Sequence, residues 1–458
     1  MMHRPLSRLA ALALLVVFWT GAALAPLRAR DWPEWLGPNR EGVWREDGLV
    51  EKFPTGGPPV VWRQPIGTGY SGPAVAGDFV YVMDRQRALG TDGKPIPSNR
   101  EGQKGTERVQ CLRVKDGGVA WKHEYECSYK QLSYNQGPRT TPLIRDGRVY
   151  TLGAMGHLFC LDAAKGDVRW SKNLPEEYKA QRPVWGYAAS LLVDGDLLYS
   201  LVGGEGSAVV AFNKNTGKEV WKALSSADVC YSPPMVFQAG GKRQLVIWTS
   251  EAIYGLDPAS GKQYWKQNYP AEGEPFRPAV NIVTPRRLDD MLFFSNAYHG
   301  PMMLKLAADK PDASVLWKNQ NKNPLKPDSL SILMPTPVLK DGFVYGIGMG
   351  GDLRCLEAKT GKQLWLTYDA TGGEKTDCGT AFIVPQGDRF ILFNDQGDLI
   401  LAHMSPKGYQ EIDRARILEP AQEARNRQVV WSHPAFAHQC VFARNEKEIV
   451  CVSMAKKS

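Results

Sequence analysis

The chain has 458 residues, 43% hydrophobic and 10% aromatic, which is enough to bury a large core. Its 45 Gly and 32 Pro require many tight turns and exclude a coiled coil or a disordered chain. The net charge of +8 draws on Arg4, Arg8, Arg28 and Arg30 near the start, no Lys/Arg block follows, and the one long apolar run is N-terminal. Nucleic-acid partners and a multi-span membrane protein are therefore not expected.

In chain order, Arg4 and Arg8 precede an apolar stretch from Leu9 to Ala25, the arrangement of an export signal. Residues 1–30 are thus expected to be a signal peptide or, if uncleaved, an N-terminal membrane anchor, with the mature chain periplasmic or secreted. No Cys follows the run, so a lipidated N-terminus is not indicated. Residues 31–56 read as an N-terminal extension and 57–458 as a single domain. The stretch Ala88 to Glu107 reads as a polar surface loop, and Glu419 to Gln428 as a short helix.

The main signal is a repeat. Segments of eleven residues ending at Trp121, Trp170, Trp221, Trp265 and Trp365 align without a gap, each with a small residue first, Gly seventh and Trp last. Trp317 ends a looser copy without the Gly, and Gly408 with Ile412 ends one in which the Trp is replaced. Successive anchors fall 44 to 52 residues apart, room for four strands. Upstream of several anchors an Asp-Gly or Gly-Asp pair separates two apolar runs, as at Asp146-Gly147, Asp194-Gly195 and Asp341-Gly342, the signature of a hairpin. Each unit is therefore a four-stranded antiparallel meander whose apolar face needs a neighbour.

The ends set the number of units. The last copy, from His433 to Cys451, lacks its fourth strand, while Trp62 lies on a strand with no unit before it. A strand near residues 60–63 that pairs with the Cys451 segment would close a ring of eight and leave no open sheet edge.

These segments resemble the tryptophan-docking motif of PQQ-like (quinoprotein-type) β-propeller repeats, the family of the outer-membrane assembly propeller lipoprotein and of quinoprotein alcohol dehydrogenases. The resemblance implies an all-β, eight-bladed propeller. It further implies structural docking roles for Trp62, Trp121, Trp170, Trp221, Trp265, Trp317 and Trp365, each ring stacking between the first residue and the Gly peptide of its own segment. Cys111, Cys160 and Cys355 stand where the family commonly has Ala, and we expect these and Cys451 to be small buried apolar residues rather than bridges.

In the family the first strand of each blade lines a central channel. Residues near those strand starts are the channel candidates: Tyr70, Ser71, Arg139, Thr140, Trp185, Tyr187, Tyr231, Arg277, Asn281, Ser331, Thr380, Trp431 and His433. The two Arg and the aromatics suit an anionic or planar ligand. The G-x-G-x-x-G matches at Gly67 and Gly346 open no helix, no metal-ligand spacing occurs, and no catalytic residue is assigned.

A quinoprotein dehydrogenase is expected to hold PQQ over Ca²⁺ and often carries an adjacent-Cys disulfide. This sequence lacks adjacent Cys and long catalytic insertions. The expected function is a non-catalytic exported scaffold that binds an envelope protein or a small ligand at the funnel, with no cofactor. The alternative is a PQQ-dependent alcohol or sugar dehydrogenase, and a third reading is polysaccharide or peptide binding in the aromatic funnel.

Overall fold

A computed structural model describes residues 31–90, 104–134, 136–269, 279–319 and 329–456. It is an all-β propeller of eight four-stranded antiparallel sheets. Blades 1 to 7 occupy 74–126, 143–173, 192–223, 235–268, 286–318, 338–367 and 381–416. Blade 8 combines Ala435–Ala437, Cys440–Arg444 and Glu448–Ser453 with the N-terminal strand Val60–Pro65. That strand lies antiparallel to Glu448–Ser453, with Trp62 opposite Cys451, so the ring closes by joining the two ends of the chain. Asp146 and Asp341 take left-handed φ of 52° each beside Gly147 and Gly342, which turns the first hairpin of their blades tightly.

The outer half of four blades repeats one arrangement across three strands. An aromatic residue faces the small residue, which faces the Trp: Tyr81, Cys111 and Trp121; Tyr150, Cys160 and Trp170; Tyr199, Ala211 and Trp221; Tyr345, Cys355 and Trp365. A β-bulge just past the small residue aims each Trp toward the next blade. All eight Cys are free thiols; Cys111, Cys160, Cys355 and Cys451 are buried beneath these rings.

The Trp rings do not stack on their own segment's Gly but on the Gly of the following blade. Trp62 covers Gly117, Trp121 Gly166, Trp170 Gly217, Trp221 Gly261 and Trp317 Gly361. Each indole N–H donates to the carbonyl three residues before that Gly, for example Trp121 to Ala163 at 2.9 Å and Trp221 to Pro258 at 3.0 Å. Tyr81 and Tyr199 donate their hydroxyls to those same two carbonyls. The left-handed φ of Gly166 and Gly261, 79° and 72°, and the ring lying where a Cβ would be, explain why Gly is needed.

Two steps of the ring depart from the pattern. Blade 5 has no Gly in its turn, and Trp265 donates instead to Gln244 of its own blade at 2.6 Å. In blade 7 the register puts Asp413, not Ile412, at the Trp position; Ile412 is the bulge residue. Asp413 accepts the N–H of Phe53 at 2.8 Å, so the N-terminal extension occupies the place of the missing turn of blade 8.

Two further expectations are corrected. Residues 419–428 form no helix: Gln422–Ala424 and Arg427–Val429 pair as a hairpin, with Arg425 and Asn426 in left-handed turn conformation. Gln422 and Ala424 are buried while Glu423 is exposed, a period-2 face that overrides helix propensity. The loop predicted from Ala88 is shorter, because Gly105–Arg113 continues the sheet opposite Phe79–Arg87. Glu107 is buried there, accepting from the Tyr125 and Tyr129 hydroxyls and, at 3.1 Å, from the Ala154 N–H. Residues 91–103 of that loop, and the N-terminal residues 1–30, lie outside the described residues.

Candidate functional site

The inner strands surround an axial channel, and the N-terminal extension closes one end of it. Trp32 exchanges two backbone hydrogen bonds with Val75 of blade 1, and Pro33 accepts from Ile144 of blade 2. Arg40 donates to Leu191 beside blade 3 and to Pro234 beside blade 4. Trp35 donates to Thr284 ahead of blade 5, Trp44 N–H to Pro385 of blade 7, and Glu46 accepts from Gln439 of blade 8. The buried Glu34 pairs with Arg40 at 2.8 Å and with Arg145, so the charge carried into the core is neutralised on both sides.

Above this plug the channel is a cup of about 240 Å³. Its floor is His433 against Trp35 and Phe382, both with ring centroids at 4.9 Å, with Trp32 stacked at 6.4 Å. Burial among these rings pulls the imidazole down to about 4, so His433 is neutral at pH 7. The walls carry two tilted aromatic pairs, Trp185 with Tyr231 at 5.5 Å and Tyr134 with Trp431 at 6.1 Å. The rest is largely apolar, including Val280, Ile282, Leu333 and Met334.

Of the residues singled out from sequence, Tyr70, Arg139, Trp185, Tyr231, Trp431 and His433 line this cup. Arg139 is less available than its charge suggests. Its Nε donates to Trp185 O at 2.9 Å, and its terminal nitrogens donate to Gly137, Ser133 and Tyr134 carbonyls. With its guanidinium 5.2 Å from the Tyr70 ring, it works as a brace that ties two loops of the mouth together.

Thr140, Tyr187, Asn281 and Thr380 are buried in the scaffold beside the cup. Thr140 donates to Leu152 at 2.7 Å, Tyr187 to Val202 at 2.8 Å, and Asn281 sits between Thr249 O and the Asn296 amide. Thr380 takes Asp395 through its N–H at 3.0 Å. Ser71 donates to Thr140 O, and Ser331 is buried. Arg277 lies outside the described residues. Sequence reasoning missed Trp35, Tyr134, Tyr298, Phe382 and Arg425, which line the cup from the extension, from loops or from deeper strand positions. Only the aromatic-rich opening around Trp32 and Trp35 offered a signal.

A family model described as outer membrane protein assembly factor BamB matches residues 105–300 and 303–458. The chain belongs to this PQQ-like propeller family. The BamB of Shewanella oneidensis is 21% identical over 274 residues, covering 57% of this chain and 65% of that protein, so the match spans less than two thirds of the relative. Among solved structures, BamB from Moraxella catarrhalis superposes with a TM-score of 0.53 at 16% identity, over 80% of this chain and 96% of that one. Quinohemoprotein alcohol dehydrogenase from Comamonas testosteroni gives 0.59 at 12% identity, over 95% of this chain and 82% of that one. These likenesses establish the fold.

The cup does not fit PQQ over Ca²⁺. Ca²⁺ needs several oxygen ligands, carboxylates foremost, yet among the described lining residues none is Asp or Glu. The Asn281 amide is committed on both sides, and Arg139 is committed to carbonyls. No group of three or more His, Cys, Asp and Glu with metal-holding geometry occurs among the described residues.

Proposed function

We propose that this protein is an exported, non-catalytic propeller that serves as a binding or assembly scaffold in the cell envelope, with an envelope protein as its partner. The observation that carries this reading is the aromatic cup, with no carboxylate among its described lining residues, sealed by the chain's own N-terminal extension. Membership of a family described by an outer-membrane assembly factor supports it. The charged-then-apolar order of residues 1–30 supports export, by cleavage or as an anchor. Fractionation of the producing cell with N-terminal sequencing of the mature chain tests export. Mild cross-linking in envelope extract, with identification of the linked residues, tests the scaffold role; a cytoplasmic location or no reproducible cross-link sinks it.

The second reading, a PQQ-dependent oxidoreductase, has behind it only the fold shared with the quinohemoprotein dehydrogenase over 95% of this chain, since the described lining of the cup offers Ca²⁺ no carboxylate. Reconstitution with PQQ and Ca²⁺ followed by dye reduction across alcohols and aldoses decides it. Retained quinone absorbance with substrate-dependent reduction would replace the scaffold reading.

A further inference from the structure

We infer that the cup is a binding site for the terminal ring of a neutral glycan. Its volume of about 240 Å³ lies below the usual drug-sized range, which begins near about 300 Å³, and suits roughly one ring. Its N–H donors are largely engaged: Arg139 donates to four carbonyls, Arg425 lies 3.7 Å from Asp377, and His433 is a neutral imidazole. An anion therefore finds few N–H groups left to pair with. The apolar face of a sugar ring, with its C–H bonds, complements the negative faces of Trp185, Tyr231 and Trp431.

The polar groups of the wall narrow the choice further. The Tyr70 hydroxyl accepts from the Gln422 side-chain amide at 2.7 Å and the Tyr231 hydroxyl accepts from the Trp185 backbone N–H at 3.4 Å, which leaves both O–H hydrogens to donate. A hydrocarbon ligand would bury these two hydroxyls with their donors unmet, at about 1–3 kcal/mol each, whereas sugar oxygens satisfy them. Separately, Tyr134, Cys378 and Arg425 line the cup with left-handed φ of 49°, 55° and 52°. Non-Gly residues held there cost about 1 kcal/mol or more each, and such strain gathers at binding sites. This inference gives the cup of the scaffold reading a ligand class; saccharide titration tests the ligand and envelope cross-linking tests the partner, so each can fail without the other.

The test is titration of the purified protein by intrinsic Trp fluorescence and calorimetry. The probes are N-acetylglucosamine, methyl β-glucoside, cellobiose and maltose, with benzoate and an N-acetylated, C-amidated phenylalanine peptide as comparators. At least one neutral saccharide is expected to saturate with a Kd of about 1 mM or tighter. Trp185→Ala is expected to weaken it at least about tenfold and Tyr231→Phe about three- to tenfold, with circular dichroism and melting confirming that each variant is folded. Three results overturn the inference: no saccharide saturating by about 50 mM, binding by benzoate or the aromatic peptide alone, or saccharide affinity unchanged in a folded Trp185→Ala. If Trp185→Ala does not fold, Tyr231→Phe carries the same decision.

Discussion

The rim and the cup of this propeller use the same residue types to opposite ends. At the rim, Trp121, Trp170 and Trp221 sit in equivalent registers, each ring against a Gly and each N–H on a carbonyl of the next blade. In the cup, Trp35, Trp185 and Trp431 come from three unrelated places in the chain, and the Trp431 N–H has no partner among the described residues. Aromatic side chains bury large area in both regions, but the polar ends are satisfied by one repeated bond at the rim and irregularly in the cup, where Trp35 donates to Thr284 and Trp431 finds no partner among the described residues. Repetition with complete satisfaction builds stability; irregularity with leftover donors leaves a surface able to recognise something else.

The largest losses are expected at the rim. Trp221→Ala removes a buried ring and its bond to Pro258, and should lower stability by about 3–5 kcal/mol in urea unfolding, whereas the exposed cup aromatic Tyr134→Ala should change it by about 0.5 kcal/mol or less. Equal losses would erase the distinction.

The plug joins the two regions, and its buried charges should respond next. Arg40→Met leaves the buried Glu34 with Arg145 as its one remaining cation and is expected to cost about 3 kcal/mol or more by the same measurement. His433, held near a pKa of about 4 by burial, is neutral in the folded chain but binds a proton in the unfolded chain below about 6.5. The unfolded state then holds more protons, so stability should fall by up to about 3 kcal/mol as pH drops from about 6.5 to 4. Melting curves across that range should lose this part of the slope in His433→Phe; an unchanged slope assigns it to other groups.

Smaller changes sharpen the rim itself. Gly261→Ala would set a Cβ 2.6 Å from the Trp221 ring at a φ of 72° and should cost about 1–3 kcal/mol, while Gly195→Ala, with open space around it, should lose only the backbone contribution of about 1 kcal/mol. Tyr199→Phe removes one of two donors to Pro258 O and is expected to cost about 1 kcal/mol, with Trp221 keeping the carbonyl satisfied.

Much of the rim was legible in the sequence, because a repeated environment repeats its demands. A Gly needed for left-handed φ and a Trp needed to fill the space above it recur at fixed offsets, and the missing fourth strand at the C-terminus pointed to the strand around Trp62. The Tyr partners of Trp121, Trp170, Trp221 and Trp365 were not read, since they lie about twenty to forty residues upstream on a strand whose pairing must be known first. The direction of docking was also misjudged: a residue's own segment is near in sequence, but the bulge turns the ring to the next blade. Asp413 escaped notice because the longer hairpin of blade 7 shifts its register relative to the other copies.

The cup was only partly legible. Position at a strand start located Tyr70, Arg139, Trp185, Tyr231, Trp431 and His433, but could not say that Arg139 spends its hydrogen bonds on nearby carbonyls or that Tyr187 and Asn281 belong to the scaffold.

Local turn chemistry and a periodic need to bury apolar faces fix the repeat, the four-stranded unit, the number of blades and the closure of the ring, so all four can be read from the residues alone. Folding in three dimensions is what places the extension from Asp31 to Glu46 across the channel. It also decided which side chains meet in the cup and which of their donors remain unspent. Those outcomes depend on contacts between residues hundreds of positions apart, such as Trp35 with Thr284 and Arg40 with Leu191, for which no local pattern carries a signal.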